Sequence, residues 1–275
     1  MSFFRATAAE FSKVFTTRMW WLLAILLVAY VAFMAGGFGA FLGWAVGNPD
    51  AAAGAGQAPL PTGMPLAPLL YSFASSIGYV FPVLLGALAV TGEFRHKTLT
   101  PTFLAEPRRS NVLSAKFGSQ LIVGAGLGAV AFATSVATGA AALAAFGLDT
   151  ELGSSDTWAL IGRGVLAMAL WGAVGVGLGA LVPNQVAAIV IVIAFTQFIE
   201  PILRLAASLN DVTANIGQFL PGAASDALVG ASFYTIAAMG SPESLEWWQG
   251  GLVLFAIGAV AAIIGGLTTW RRDVS

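Results

Sequence analysis

Three ionisable residues, Arg163, Glu200 and Arg204, stand inside stretches that are otherwise apolar. Charge in such surroundings is costly, so it is normally paired or functional. Glu200 and Arg204 are four residues apart with the acid first, the favourable order on a helix. They read as a structural ion pair or as an outer gate for a solute leaving the membrane. Arg163 is placed to reach Glu200 across an antiparallel helix pair. By helical rise Glu200 lies about 22 Å along its stretch from Gln185, and Arg163 about 7–8 Å into its own. All three belong near one face, whereas ion-coupled carriers keep their relays near the midplane.

Other chemistry is thinly supplied. The sole histidine, His96, falls in a basic connection, and there is no cysteine. That excludes histidine metal or haem sites inside the membrane, disulfides and thiol chemistry. No GxSxG or HExxH occurs. None of Lys13, Lys97 or Lys116 follows a glycine, so the GxxxxGK[ST] phosphate loop is absent. The chain is therefore expected not to be an enzyme, to hold no metal or cofactor, and to bind no nucleic acid. If ATP drives anything here, a separate polypeptide binds it.

The elements that carry these residues follow from composition. Of 275 residues 58% are hydrophobic and 9% charged, against about 25% charged in an ordinary soluble domain. Mean hydropathy is +0.86. Apolar runs at 20–46, 67–91, 117–146, 158–182, 185–205 and 250–270 each reach the roughly 20 residues that cross a bilayer. The expected fold is all-α: a single domain with six membrane-spanning helices. The first run is longer than the roughly 7–15 residues of a signal-peptide core, so it reads as a retained signal-anchor. Trp20, Trp21, Trp44, Trp158, Trp247, Trp248 and Trp270 bracket the runs as an aromatic belt.

Charge between the runs alternates. Arg5, Lys13 and Arg18, then Arg95, Lys97, Arg108, Arg109 and Lys116, then Arg271 and Arg272 mark one side. Asp50, then Asp149, Glu151 and Asp156, then Asp211, Asp226, Glu243 and Glu246 mark the other. Because Lys and Arg near span ends stay in the cytoplasm, both termini are expected there. The connection at Pro183 and Asn184 carries no charge, and alternation puts it inside.

Smaller features fill in the layout. Phe4, Ala8, Phe11 and Phe15 recur at helical spacing opposite Arg5, Ser12, Lys13 and Thr16. Residues 1–19 read as an interfacial elbow helix, or else as an extension of the first span. Segment 48–65, with prolines at 59, 61 and 65, reads as a flexible loop. Segment 206–248 holds apolar pieces at 216–220 and 227–238, broken by Pro221-Gly222 and Gly240-Ser241-Pro242. Those pieces are too short to cross and read as re-entrant or interfacial helices. Gly124 with Gly128, and Gly172, Gly175, Gly177 and Gly179, suit close helix packing, within the chain or at a dimer seam.

The connection 93–116 is the most specific stretch. A helix leaves the membrane at Glu93, and a short amphipathic piece carries Leu99, Phe103 and Leu104 until Pro107 ends it. Those three apolar residues need cover, from headgroups or from a protein partner. With Glu93, Thr98-Leu99, Leu104, Pro107-Arg108-Arg109 and Lys116 in this order, the chain resembles the permease subunits of type-2 ATP-binding-cassette transporters, the exporter kind. The six-span layout, the elbow, the short helices before the last span and Phe219-Leu220-Pro221-Gly222 extend the resemblance over essentially the whole chain. It departs at Lys97, where many members have glycine, and at Pro101. The resemblance implies a cytoplasmic coupling helix that docks on an ATP-binding-cassette ATPase subunit, which holds ATP and Mg. It further implies a second permease copy or homologue, in a bacterial inner (plasma) membrane. Glu93, Arg95, Lys97, Thr98, Leu99, Phe103, Leu104, Arg108 and Arg109 would make the coupling contact. The wording Glu-Phe-Arg-His-Lys-Thr looks like the branch exporting drugs, antibiotics or peptides. Apolar span walls favour hydrophobic or amphipathic cargo. The other reading is a non-transporting membrane scaffold or regulatory subunit whose basic loop binds anionic lipid.

Overall fold

The computed structural model describes residues 3–55, 63–207, 209–232 and 245–271. Pro59, Pro61, residues 233–244 and Arg272 lie outside that set. Among the described residues the chain is all-helical, and six helices are long and apolar enough to cross a membrane. It is a polytopic membrane protein.

Helix α1 (Phe3–Thr16) precedes the first span, α2 (Met19–Gly47), and a six-residue helix, α3 (Pro49–Gly54), follows it. The loop expected from residue 48 thus begins helically, because Pro49 at the first helical position has no N–H to satisfy. The second span is two helices, α4 (Leu66–Ser76) and α5 (Val80–Arg95). Pro82 explains the break: it cannot donate to the carbonyl of Gly78, which instead accepts from Phe81 (3.1 Å). A seven-residue helix, α6 (Leu99–Ala105), stands before the third span, α7 (Arg109–Ala145). With 37 residues α7 is about 55 Å long, so it overshoots a hydrocarbon core of roughly 30 Å. Pro101 is harmless in α6 because the first turn of a helix has no use for its missing donor.

The fourth span, α8 (Ser155–Leu181), starts where the Asp156 amide donates to the Ser154 hydroxyl (3.2 Å). It is the hub of the bundle. On one side it meets α7, where a side chain at Gly124 would come within 2.7 Å of the Met168 carbonyl; Gly128 meets the Met168 side chain. The Gly124–Gly128 pair therefore serves packing within the chain. On other sides Gly175 and Gly179 lie against α5, and Gly177 against the last span.

The fifth span runs as α9 (Gln185–Ala194), a π-helical turn (Phe195–Ile199) and α10 (Glu200–Ala207). Pro201 leaves the carbonyl of Gln197 without its usual donor, a common origin of such wide turns. Two short helices follow, α11 (Asp211–Gly217) and α12 (Pro221–Val229). Pro221 opens α12 rather than breaking a helix, and Gly230 closes it at φ 90°. Buried Gly222, Ala224, Ser225, Asp226, Leu228 and Val229 insert α12 among the spans. The last span, α13 (Trp247–Thr268), begins with a capping box in which the Glu246 amide donates to Gln249 (2.9 Å).

Two ends can be distinguished without reference to any membrane. Arg95 donates to Gln185 (3.2 Å), which puts the uncharged Pro183-Asn184 connection at the basic end, as alternation requires. At the acidic end Tyr71 donates to the carbonyl of Thr150 (2.6 Å). Trp21, Trp44, Trp158, Trp247 and Trp248 are exposed, as a belt would be. Trp270 is not: it is fully buried at the basic end and belongs to the packing described next.

Candidate functional site

Four charges close the basic end, and only part of the set was visible in the sequence. Lys116, at the foot of α7, points its ammonium to Glu10 (2.5 Å), Glu93 (2.9 Å) and the Ala89 carbonyl (3.1 Å). Three oxygens thereby surround the ammonium. Lys13 bridges the same carboxylates, Glu10 and Glu93, at 2.6 Å each, and lies 3.4 Å from the Thr102 hydroxyl. Glu10, Glu93 and Lys116 are buried; Lys13 remains partly exposed. The square is neutral, and it ties α1, α5 and α7 together, with α6 touching through Thr102. Burial lowers the Lys13 pKa, but hydrogen bonding and charge from Glu10, then Glu93, outweigh it and leave the ammonium above its usual 10.5.

The face of α1 that docks is Ala6, Glu10 and Val14, with Lys13 drawn in beside it. Phe4 and Phe15 point away from the protein. The aromatic stripe is thus divided, Phe11 packing against the core while Phe4 and Phe15 face outward, and Lys13 is not on a free polar face as its spacing suggested. Glu10 went unnoticed because it sits in a basic segment, yet it lies on the Ala6–Val14 stripe at four-residue spacing.

Helix α6 lies across the feet of the bundle. Leu99 is completely buried among Val90, Val112, Leu113, Val176, Ala180, Ala262 and Trp270. The cover that Leu99 was expected to need from outside is supplied by the chain itself, which corrects its reading as a contact residue. Phe103 is half-buried edge-on to Trp270 (5.6 Å between centroids), and the Arg109 guanidinium sits 4.9 Å above its ring. Arg109 also donates to the Trp270 carbonyl. Glu93 is consumed by the charge square. What is left exposed is Leu104, at 80%, and on the same connection Arg95, Lys97, Thr98 and Arg108. The nine residues grouped together from sequence therefore divide into a buried root and an exposed tip.

Lys97 has φ 55°, the left-handed region that glycine enters freely and a lysine enters at a cost. This explains why a glycine suits the position. Lys97→Gly is expected to leave thermal stability unchanged or raise it by up to about 1 kcal/mol, whereas the β-branched Lys97→Val should lower it by roughly 1–2 kcal/mol. Melting of the two purified variants checks this.

The acidic end holds a second cluster. Arg204 donates to Glu200 (3.2 Å) and to Asp226 (2.5 Å), and Glu200 also accepts the Gly222 amide (2.5 Å). The Glu200–Arg204 pair is present as spacing suggested. Arg163 does not join it: its guanidinium stacks on Trp247, 5.0 Å from the ring centroid. Asp226 instead joins as a second acid on Arg204, because α12 folds into the bundle, the re-entrant alternative for its segment.

No protein-family model matches this chain, and no curated protein matches it either.

Proposed function

We propose that the chain is the membrane-spanning permease subunit of an ATP-driven exporter of the type-2 ATP-binding-cassette kind. A separate cytoplasmic ATPase subunit holds ATP and Mg, and a second permease copy or homologue completes the pathway. The basic end faces the cytoplasm of a bacterial inner membrane, and the cargo is hydrophobic or amphipathic, such as a drug, antibiotic, peptide or lipid-like compound. One observation carries the reading: a short helix with an exposed apolar tip, on a connection that also exposes Arg95, Lys97 and Arg108, has its root packed in a cluster drawn from four spans. A load applied at Leu104 cannot be absorbed locally. Leu99 is locked under Trp270, and Thr102 meets the charge square that joins α1, α5 and α7. Movement of a partner is therefore passed to the spans. Arg95, Lys97 and Arg108 steer and orient the contact through complementary charge.

The test uses the tip, since Leu99→Asp would disrupt the packed root whatever its role. Leu104→Asp is expected to leave thermal stability unchanged and to weaken binding of the ATPase subunit by about thirtyfold, the loss of a contact worth roughly 2 kcal/mol. Stimulation of ATP hydrolysis by the permease should fall in parallel. A variant that still co-purifies with its ATPase and stimulates it normally removes the proposal. Retention by anionic vesicles alone, with no ATPase recovered, favours the scaffold reading.

A further inference from the structure

Three irregular segments converge at the acidic end around one carboxyl group. The first is the break at Ile77-Gly78-Tyr79 in the second span. The second is the π-helical turn Phe195–Ile199, and the third is the start of α12 at Pro221 and Gly222. The first two are hydrogen-bonded to each other, Tyr79 donating to the carbonyl of Thr196 (3.3 Å). Non-helical backbone at this depth is tolerated where it lines a protein cavity. Such a cavity exists here, lined by Ser76, Tyr79, Thr196, Glu200, Ser225 and Asp226 among others, with free volume of about 10 Å³. That is room for one water molecule at most.

Glu200 is only 2% exposed, and its two oxygens have different surroundings. Oε1 accepts from the Gly222 amide and from Arg204. Oε2 is buried with no hydrogen-bond partner, and so is the Ser76 hydroxyl on the same cavity. The charged groups facing this carboxyl are Arg204 on its own helix and Asp226 on α12; from the second span comes the neutral phenol of Tyr79. Arg163, on α8, is held on Trp247. Two carboxylates against one guanidinium leave one negative charge uncompensated.

We propose that Glu200 is a proton-binding site, with the proton on Oε2. Arg204 and Asp226 then form a one-to-one pair, and the cluster is neutral. A metal cation fits poorly, since the guanidinium already occupies the space between the carboxylates and the cavity lacks room for a coordination shell. A proton needs no volume, and the neutral acid becomes a donor on a cavity where the Ser76 hydroxyl is otherwise unpaired. Leaving the charge buried and unpaired would cost far more than taking up the proton. The site is independent of the ATPase contact at the opposite end.

The experiment is infrared spectroscopy of the full chain in lipid nanodiscs, titrated from acid to alkaline pH. Wild-type protein is expected to show a carboxylic-acid C=O band that persists at neutral pH and is lost in Glu200→Gln. That variant should keep the wild-type melting temperature at neutral pH, because the amide replaces a neutral acid. A wild-type band unchanged in Glu200→Gln, or absent, overturns the proposal. So does marked destabilisation by Glu200→Gln, which an ionised, structural carboxylate would produce. If the variant cannot be isolated, isotopically labelled glutamate in wild-type protein must shift the band. A band that shifts only with labelled aspartate assigns the proton to another residue.

Discussion

Lys116→Ala should lower stability by roughly 3–5 kcal/mol, the range for removing one partner from a buried ion pair. The size follows from what is left behind. Glu10 and Glu93 would share Lys13 alone, and Lys13 has 41% of its side chain exposed, so it neutralises them weakly. One carboxylate charge would stay buried without a counter-ion. The Ala89 carbonyl would also lose its lysine donor. Purified variant protein in detergent should melt far below the wild type and accumulate poorly. Lys13→Ala also leaves two carboxylates on one ammonium, but Lys116 stays buried between them and water reaches the vacated, partly exposed side. A smaller cost of roughly 1–2 kcal/mol is therefore expected. Combining Lys116→Met with Glu10→Gln removes one charge of each sign and should recover much of the loss, a non-additivity that a double-mutant cycle reads directly. Equal melting temperatures for wild type and Lys116→Ala would show that the square does not hold the basic end together.

The second large effect is Gly86→Val. Gly86 on α5 and Gly175 on α8 face each other's helix in reciprocal fashion. A side chain at Gly86 would collide with the Gly172 carbonyl, and one at Gly175 with the Val83 carbonyl. These are backbone atoms of packed helices, so no rotamer change can make room. The two helices would have to separate along their whole contact, forfeiting the close packing that drives helix association in lipid. A cost above about 4 kcal/mol is expected, which places it among the exceptional substitutions. Gly126 is the control: a side chain there meets nothing within 4 Å, and Gly126→Ala should behave as wild type. Size-exclusion profiles of the solubilised proteins distinguish the outcomes, and a normal Gly86→Val profile would mean that α5 and α8 are not packed this closely.

Legibility in the sequence was uneven, for physical reasons. Span number and position were plain, because a bilayer demands about 20 apolar residues in a row and little else in a chain imitates that. The Glu200–Arg204 pair was readable because both partners lie on one helix, four residues apart. Glu10 with Lys116, 106 residues apart, and Arg204 with Asp226 could not be found in this way. Each depends on how one element lies against another. Leu99 and Leu104 make the same point within a single helix. Both are leucines on a short charged connection, but the first is wholly buried and the second 80% exposed. Their separation depends on where Trp270 comes to rest, and that in turn on how the last span packs.

Hydropathy and charge alternation alone pointed to an all-helical chain with six spans and one strongly basic connection between the second and third. These are one-dimensional quantities, set by the solvent each segment must meet. Only the packed bundle decided which carboxylate meets which ammonium, that α12 turns inward to deliver Asp226, and that Arg163 leaves Glu200 for Trp247. A buried charge is satisfied by whatever lies within about 3 Å of it. That distance is set by helix contacts, which local sequence does not encode.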